Sequence, residues 1–228
     1  MQLDQGQSAE GSESEHQLLP AGDFSDWLRK IRQAVSNNSD MDVPCGDCCA
    51  CCSSFQFITI RPQEKQTLAR IPKPLRIAAP GRPPGDVLLG YDQNGFCPML
   101  RGNRCSIYDS RPLTCRNYDC RLFAAAGVIP EGDQKIAIAR QVSRWQFSYP
   151  TPRDKEEQLA VKSAVLFIQE HADCFPGGLI PHDEGQLALL AIKVFEIFLP
   201  NEALSGQSDV QIAAAVVQAC KKFETRQW

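Results

Sequence analysis

The sequence predicts a mainly α fold around a small, irregular α+β core that is rich in cysteine, built of short strands or a hairpin, and packed by C-terminal helices. Three observations carry this expectation. Apolar residues recur at helical spacing once near the N-terminus and several times after residue 131. Nine of the 11 cysteines crowd into residues 45–120. That same stretch is interrupted by Pro and Gly too often for long regular elements. With 228 residues and 43% hydrophobic content the chain is long enough to bury a sizeable core. Residues 1–22 are expected to be a disordered tail, 23–130 the cysteine-cluster region, and 131–228 a helical part packed on it as one globular unit.

Residues 1–22 are Gln/Ser/Glu-rich and carry too few large apolar side chains to offset the entropy of ordering. In DFSDWLRKIRQAVSN, Phe24, Trp27, Leu28, Ile31, Ala34 and Val35 repeat with a helical period, and Asp23 or Ser25 suits the first turn as a cap. FQFITI alternates like a strand, and Pro62 is placed to open a short helix carrying Leu68 and Ile71. The Pro/Gly-rich run from Pro72 to Asn94 reads as irregular, with a short strand at Val87 to Leu89. A hairpin over Gly102-Asn103 follows, and then a helix from Pro112 to a stop at Gly127. Further helices are expected over 136–147, 154–172, 184–199 and 208–224, presenting Leu159, Leu166, Ile168, Leu189, Ile192, Phe195, Ile212, Val216 and Phe223 to the core.

A net charge of −3 gives no global attraction to nucleic acid or to an anionic membrane, so neither is an expected partner. No run approaches the roughly 20 apolar residues of a membrane span, and the first residues lack the cationic start and apolar stretch of a secretory signal. A cytoplasmic location is therefore expected. Cytosolic thiols are kept reduced and an odd number cannot all pair, which leaves metal ligation as the common reason for packing them densely.

CGDCCACC holds three overlapping CxxC pairs: Cys45 with Cys48, Cys48 with Cys51, and Cys49 with Cys52. Such a turn aims two thiolates at one metal while backbone N–H groups point at sulfur. Neighbouring cysteines are expected to point apart, so neither Cys48 with Cys49 nor Cys51 with Cys52 should serve one zinc ion together. The second group is Cys97, Cys105, Cys115 and Cys120. The hairpin can bring Cys97 and Cys105 to neighbouring strands and the next helix can lay Cys115 on them. Cys120 lies about 140° round a straight helix from Cys115, so it joins only if that helix is short or distorted. Arg101, Arg104, Arg111, Arg116 and Arg121 are interspersed here and would offset thiolate charge.

CGDCCACC, CPML and CSIYDSRPLTCR together resemble the CxxCxxCC cysteine-cluster family, also called the YkgJ-type zinc- or iron-chelating domain, from Cys45 to about Phe123. The resemblance implies Cys45, Cys48, Cys51, Cys52, Cys97, Cys105 and Cys115 as metal ligands, and leaves Cys49 and Cys120 outside the pattern. One branch of the family comprises flagellin lysine methylases that use S-adenosylmethionine. That activity is not extended to this chain, which shows no glycine-rich strand-to-helix turn for such a cofactor.

A closed zinc site needs four ligands, and the surplus of thiols tilts the expectation towards an iron–sulfur cluster, with a pair of zinc ions as the competitor. Three functions follow: a metal- or cluster-binding module of structural or carrier type, a metal- or cluster-dependent enzyme acting on a protein or small substrate, and a zinc-stabilised interaction module. No residue is assigned a catalytic role. Cys174 and Cys220 read as small core hydrophobes. His16, His171 and His182 read as surface or capping residues, and Asp183 with Glu184 as the complement of a helix N-terminus. Tyr108, Arg111 and Pro112 read as shaping the chain between Cys105 and Cys115.

Overall fold

A computed structural model describes residues 17–37, 39–41, 43–177, 180–200 and 206–225. It is mostly helical with three small sheets. The chain enters along β1 (Leu19–Asp23), which pairs in parallel with β7 (Trp145–Ser148). Two expectations are corrected here. The tail assigned to 1–22 ends sooner, since Ala21 is fully buried in β1; residues 1–16 lie outside the described residues. The helix expected over 136–147 is α5 (Ile136–Arg144) and stops where β7 begins. Each strand exists because of the other, more than 120 residues away in sequence, and no local period signals such pairing.

Helix α1 (Phe24–Asn37) buries Phe24, Trp27, Leu28, Ile31 and Ala34, as its period requires. Its first turn is not satisfied by Asp23, which instead accepts the Ser148 hydroxyl at 2.6 Å. The Ser25 N–H donates to Asp154 Oδ1 at 2.9 Å. Asp154 also completes the capping box of α6 (Pro152–Glu170), accepting the Thr151 N–H at 2.9 Å, so one carboxylate closes the N-termini of two helices.

The stripe that α6 buries is Ala160, Val161, Ala164, Val165 and Ile168, whereas Leu159 and Leu166 are 63% and 55% exposed. This reverses the expected roles of the two leucines. Small residues let α1, α7 (Glu184–Val194) and α4 (Arg121–Ala126) approach α6 closely, and the leucines, seven apart, share the opposite face. From α7, Leu187, Ala188, Ala191 and Ile192 join this core, followed by Phe195 in a short turn and Val216 from α8 (Asp209–Thr225). Leu189 and Ile212 are only partly buried.

The cysteine-rich part has a second, smaller core. Strands β2 (Ile58–Ile60), β3 (Arg76–Ala78) and β4 (Val87–Leu89) form an antiparallel sheet in the order β2-β4-β3, with Ile58 opposite Leu89 and Leu89 opposite Arg76. Ile60 and Leu89 pack with Ile71, Met99 and Ile107. Helix α2 (Lys65–Arg70) begins after Glu64 rather than at Pro62, because the Arg61 N–H is turned back onto the Glu64 carboxylate at 2.9 Å. The hairpin of β5 (Leu100–Arg101) and β6 (Arg104–Cys105) forms over Gly102, whose φ of +56° suits glycine. The helix expected over 112–127 is instead two, α3 (Leu113–Asn117) and α4, ended by Gly127 in the left-handed region at φ +69°. Among the described residues no helix is long and apolar enough to cross a membrane.

Burial works to raise the Asp154 pKa, but hydrogen bonds from Thr151 and Ser25 outweigh it and hold the carboxyl down to about 2 against an ordinary 3.8. Its contribution to stability is therefore complete above pH 3.8 and disappears as pH falls through about 2. Asp154→Ala should cost about 2 kcal/mol in denaturant unfolding at neutral pH. Asp154→Asn should flatten the acid limb of the stability curve within that window.

Candidate metal centre

The first cysteine segment turns at Gly46, with the Cys48 N–H donating to Cys45 O at 2.9 Å. It then winds into a short 3₁₀ turn (Ala50–Ser53) in which Cys52 N–H donates to Cys49 O at 2.9 Å and the Ser54 hydroxyl to Ala50 O at 2.6 Å. Phe55 leaves that turn at φ +53°, a conformation unusual for a bulky residue. Its ring lies over Gly95, where any Cβ would stand 2.3 Å away, and its N–H donates to Gly95 O at 3.0 Å. Two residues further on, Cys97 N–H donates to Cys52 O at 2.7 Å, fastening the second cysteine segment to the first. Cys105 ends β6, and α3 carries Cys115. That helix is tethered by Leu113 N–H to Glu64 Oε2 at 2.6 Å and by the Thr114 hydroxyl to Thr59 O at 2.7 Å.

These ties gather eight thiols around one cavity of about 330 Å³: Cys45, Cys48, Cys49, Cys51, Cys52, Cys97, Cys105 and Cys115. All seven cysteines selected from the sequence are in it, and Cys49 with them. A smaller cavity of about 70 Å³ shares Cys51, Cys52, Cys97, Cys115 and Tyr118 with the larger one. The sulfurs thus form a wall reached from two sides. Among the described residues, no three His, Cys, Asp or Glu side chains already stand close enough to share one metal ion. Ligation by these thiols therefore needs rotation about Cα–Cβ bonds, a motion between staggered wells that half-buried cysteines can make.

Burial governs the electrostatics. It raises the Cys45 thiol to about 11, with Cys48 adding to the effect, and pushes Cys115 higher still, reinforced by Cys52, Cys97 and Cys105. Cys49, Cys97 and Cys105 are also raised by burial first. Cys51 and Cys52 were expected to point apart, but the tight turn brings their thiols into a hydrogen bond that raises Cys51 and lowers Cys52.

The five interspersed arginines do not act alike. Arg111, clamped 3.9 Å above the Tyr108 ring, opposes the rise at Cys45, Cys105 and Cys115. Arg104 and Arg116 are engaged with Asp47 and Asp40 at 3.1 and 3.0 Å, and Arg101 donates to the Pro98 carbonyl. Arg121 is buried beside the equally buried Asp119, with Nη2 and Oδ2 2.8 Å apart. Asp119 also accepts the Trp27 indole N–H at 2.8 Å and the Arg121 backbone N–H at 3.0 Å. This cluster breaks the helix between Cys115 and Cys120.

Cys120 does not line the thiol cavity. Its sulfur accepts the Trp145 indole N–H at 3.2 Å, and burial raises the thiol to about 12. Cys174 and Cys220 are half-buried against the helical core. His171 stacks on Phe167 and faces Asp209 at 3.5 Å, and His182 is exposed; neither reaches the cavity, and His16 lies outside the described residues. Asp183 caps α7 through the N–H groups of Gly185 and Gln186, and Lys135 pairs with Asp183 and Glu184. Sequence reasoning gave no role to Tyr118, which lines both cavities, or to Asp119. No local signal marked Asp119, because residues two apart do not meet on a helix and the pair with Arg121 forms only where the chain is extended at Tyr118.

A half-buried wall of thiols in a small α+β lobe, with no histidine on the cavity lining, offers soft sulfur donors of the kind that bind zinc or iron–sulfur groups. Residues 44–135, about two fifths of the chain, match the family model CxxCxxCC, described as "Putative zinc- or iron-chelating domain". The match reaches beyond the motifs to include Cys120 and α4. No curated protein and no solved structure matches the chain.

Because the Cys45, Cys49, Cys51, Cys97, Cys105 and Cys115 thiols are all raised, loading a metal on them would release protons. Apparent zinc affinity should rise by roughly tenfold or more per pH unit between pH 6 and 8, with proton release measurable in weakly buffered solution.

Proposed function

We propose that the domain is a thiolate metal centre in which Cys45, Cys48, Cys51, Cys52, Cys97, Cys105 and Cys115 supply the ligands. What supports this most is the convergence of sulfurs from separate chain segments on one cavity, held by backbone and side-chain bonds that do not involve the thiols themselves. The donor set is soft, which suits zinc or an iron–sulfur cluster and not calcium or magnesium. More sulfurs than one tetrahedral ion requires favour iron–sulfur filling, and a pair of zinc ions is the competing assignment.

Such a group supplies either cross-linking of an irregular lobe or electron storage. The chain's own residues do the rest. Arg111 offsets thiolate charge, the Met99, Ile107 and Leu89 side chains keep one side of the cavity dry, and Glu64 and Thr114 hold α3 in place. The size of the larger cavity supports a second reading, a metal-dependent enzyme with room for a small substrate or a protein side chain beside the centre. A reducing compartment, the cytoplasm, fits a cluster of free thiols.

Anaerobic purification with metal and sulfide analysis tests the assignment. Brown protein with near-equal iron and sulfide establishes a cluster, whereas colourless protein with zinc alone refutes it. Cys45→Ala and Cys97→Ala should each lose metal while Cys174→Ala keeps it; full metal content in both of the first two would overturn the ligand set.

A further inference from the structure

Helix α6 turns two large apolar side chains to solvent. Leu159 and Leu166 stand seven residues apart and therefore on one side of the helix, about 10 Å from each other along its axis. Isolated apolar side chains are ordinary on a protein surface, and this pair is set apart by what flanks it. Lys155 lies four residues before Leu159 and Glu170 four residues after Leu166, both exposed. The four side chains fall within about 60° of one another around the helix. Among the described residues neither Lys155 nor Glu170 is engaged in an ion pair. Between the leucines sit the exposed and small Ser163 and the half-buried Lys162, whose stem lies against Gly127 at the end of α4. Ile129, two residues beyond Gly127 and 64% exposed, extends the apolar surface on that side.

We propose that a second copy of the chain docks on this face, with its α6 running antiparallel and crossing between Lys162 and Ser163. The array is self-complementary in that direction. About a two-fold axis at the crossing, Leu159 meets Leu166 of the second copy and Lys155 comes to its Glu170, and symmetry makes each contact twice. A parallel pairing in register would set lysine against lysine and glutamate against glutamate, which repel. The equal spacing of opposite charges on either side of the leucine pair is what a two-fold partner requires and an unrelated protein does not. Ser163 at the crossing lets the two axes approach to the roughly 8–10 Å of packed helices. A single helix crossing buries less than the roughly 1,200 Å² of a lasting complex, so the dimer is reversible, with a dissociation constant on the order of 100 µM. None of Lys155, Leu159, Leu166 and Glu170 lines the thiol cavity, so pairing leaves that cavity open and does not depend on the metal-centre reading.

Sedimentation equilibrium of the full-length chain from about 10 µM to about 1 mM tests the pairing, in reductant so that no mass is gained through disulfides. The average mass should climb from 25.3 kDa towards twice that value as concentration rises. Leu159→Asp should weaken the dimer by roughly tenfold or more, since symmetry removes two buried leucines at once. Lys155→Glu should weaken it by roughly three- to tenfold through like-charge repulsion at both ends, and combining it with Glu170→Lys should restore the original affinity. These positions are exposed, so circular dichroism should show each variant folded as the unaltered chain is. A chain that stays monomeric at the upper concentration overturns the proposal whether or not any variant folds. A dimer that Leu159→Asp leaves unchanged also overturns it, and a charge exchange that fails to restore the dimer overturns the antiparallel register.

Discussion

Asp119 is fully buried, and four groups converge on it: the Arg121 guanidinium, the Arg121 backbone N–H, the Trp27 indole N–H and the low-dielectric wall of the helical core. An ion pair in such a place persists only when its hydrogen bonds are filled, and removing one partner of a buried pair typically costs about 3–5 kcal/mol. Arg121 also donates to the Ala21 carbonyl at 3.1 Å, so the pair joins β1, α1 and the chain between α3 and α4 at one point. The helix break, the seat of the N-terminal strand and the placement of Cys115 and Cys120 all depend on it.

The division of labour follows from that junction. The helical core is built of small side chains on α6 packed by α1, α4 and α7, and none of the thiols of the cavity packs in it. The cysteine lobe has a much smaller apolar cluster, five buried residues around Ile60 and Leu89. A core that size contributes little on its own, so backbone bonds such as Cys97 to Cys52 and side-chain tethers such as Thr114 to Thr59 carry much of its order. A bound metal would add cross-links where the apolar core is thinnest, which is how small thiolate domains are commonly stabilised. Most of the thiols are meanwhile held protonated by burial, so that gathering them does not concentrate charge before a metal compensates it.

Much of this was legible in the chain alone. The period of α1, the hairpin over Gly102, the glycine stop at residue 127 and the cap at Asp183 are local chemistry, and each stands where local rules place it. The seven family-type cysteines do come to one cavity. The errors have a common origin. Leu159 and Leu166 are apolar at helical spacing, but the face that wins is the one that permits close approach of neighbouring helices, and smallness decides that. Trp145 and Phe147 alternate at strand spacing, but four residues are too short a run to set them apart from the helix before them, and β1 supplies the ladder that makes them a strand.

The sequence by itself determined the general layout: a cysteine-rich lobe attached to amphipathic helices, with soft donors in an order and spacing that match a family model described as zinc- or iron-chelating. Those properties are written in residue type and short-range spacing, which survive any tertiary arrangement. Only the tertiary structure decided where β1 lands, why the chain breaks before Cys120, which arginine faces the thiols and how Cys51 meets Cys52. Each of those depends on a partner distant in sequence or on burial, and neither distance in space nor exclusion of water is encoded at any single position.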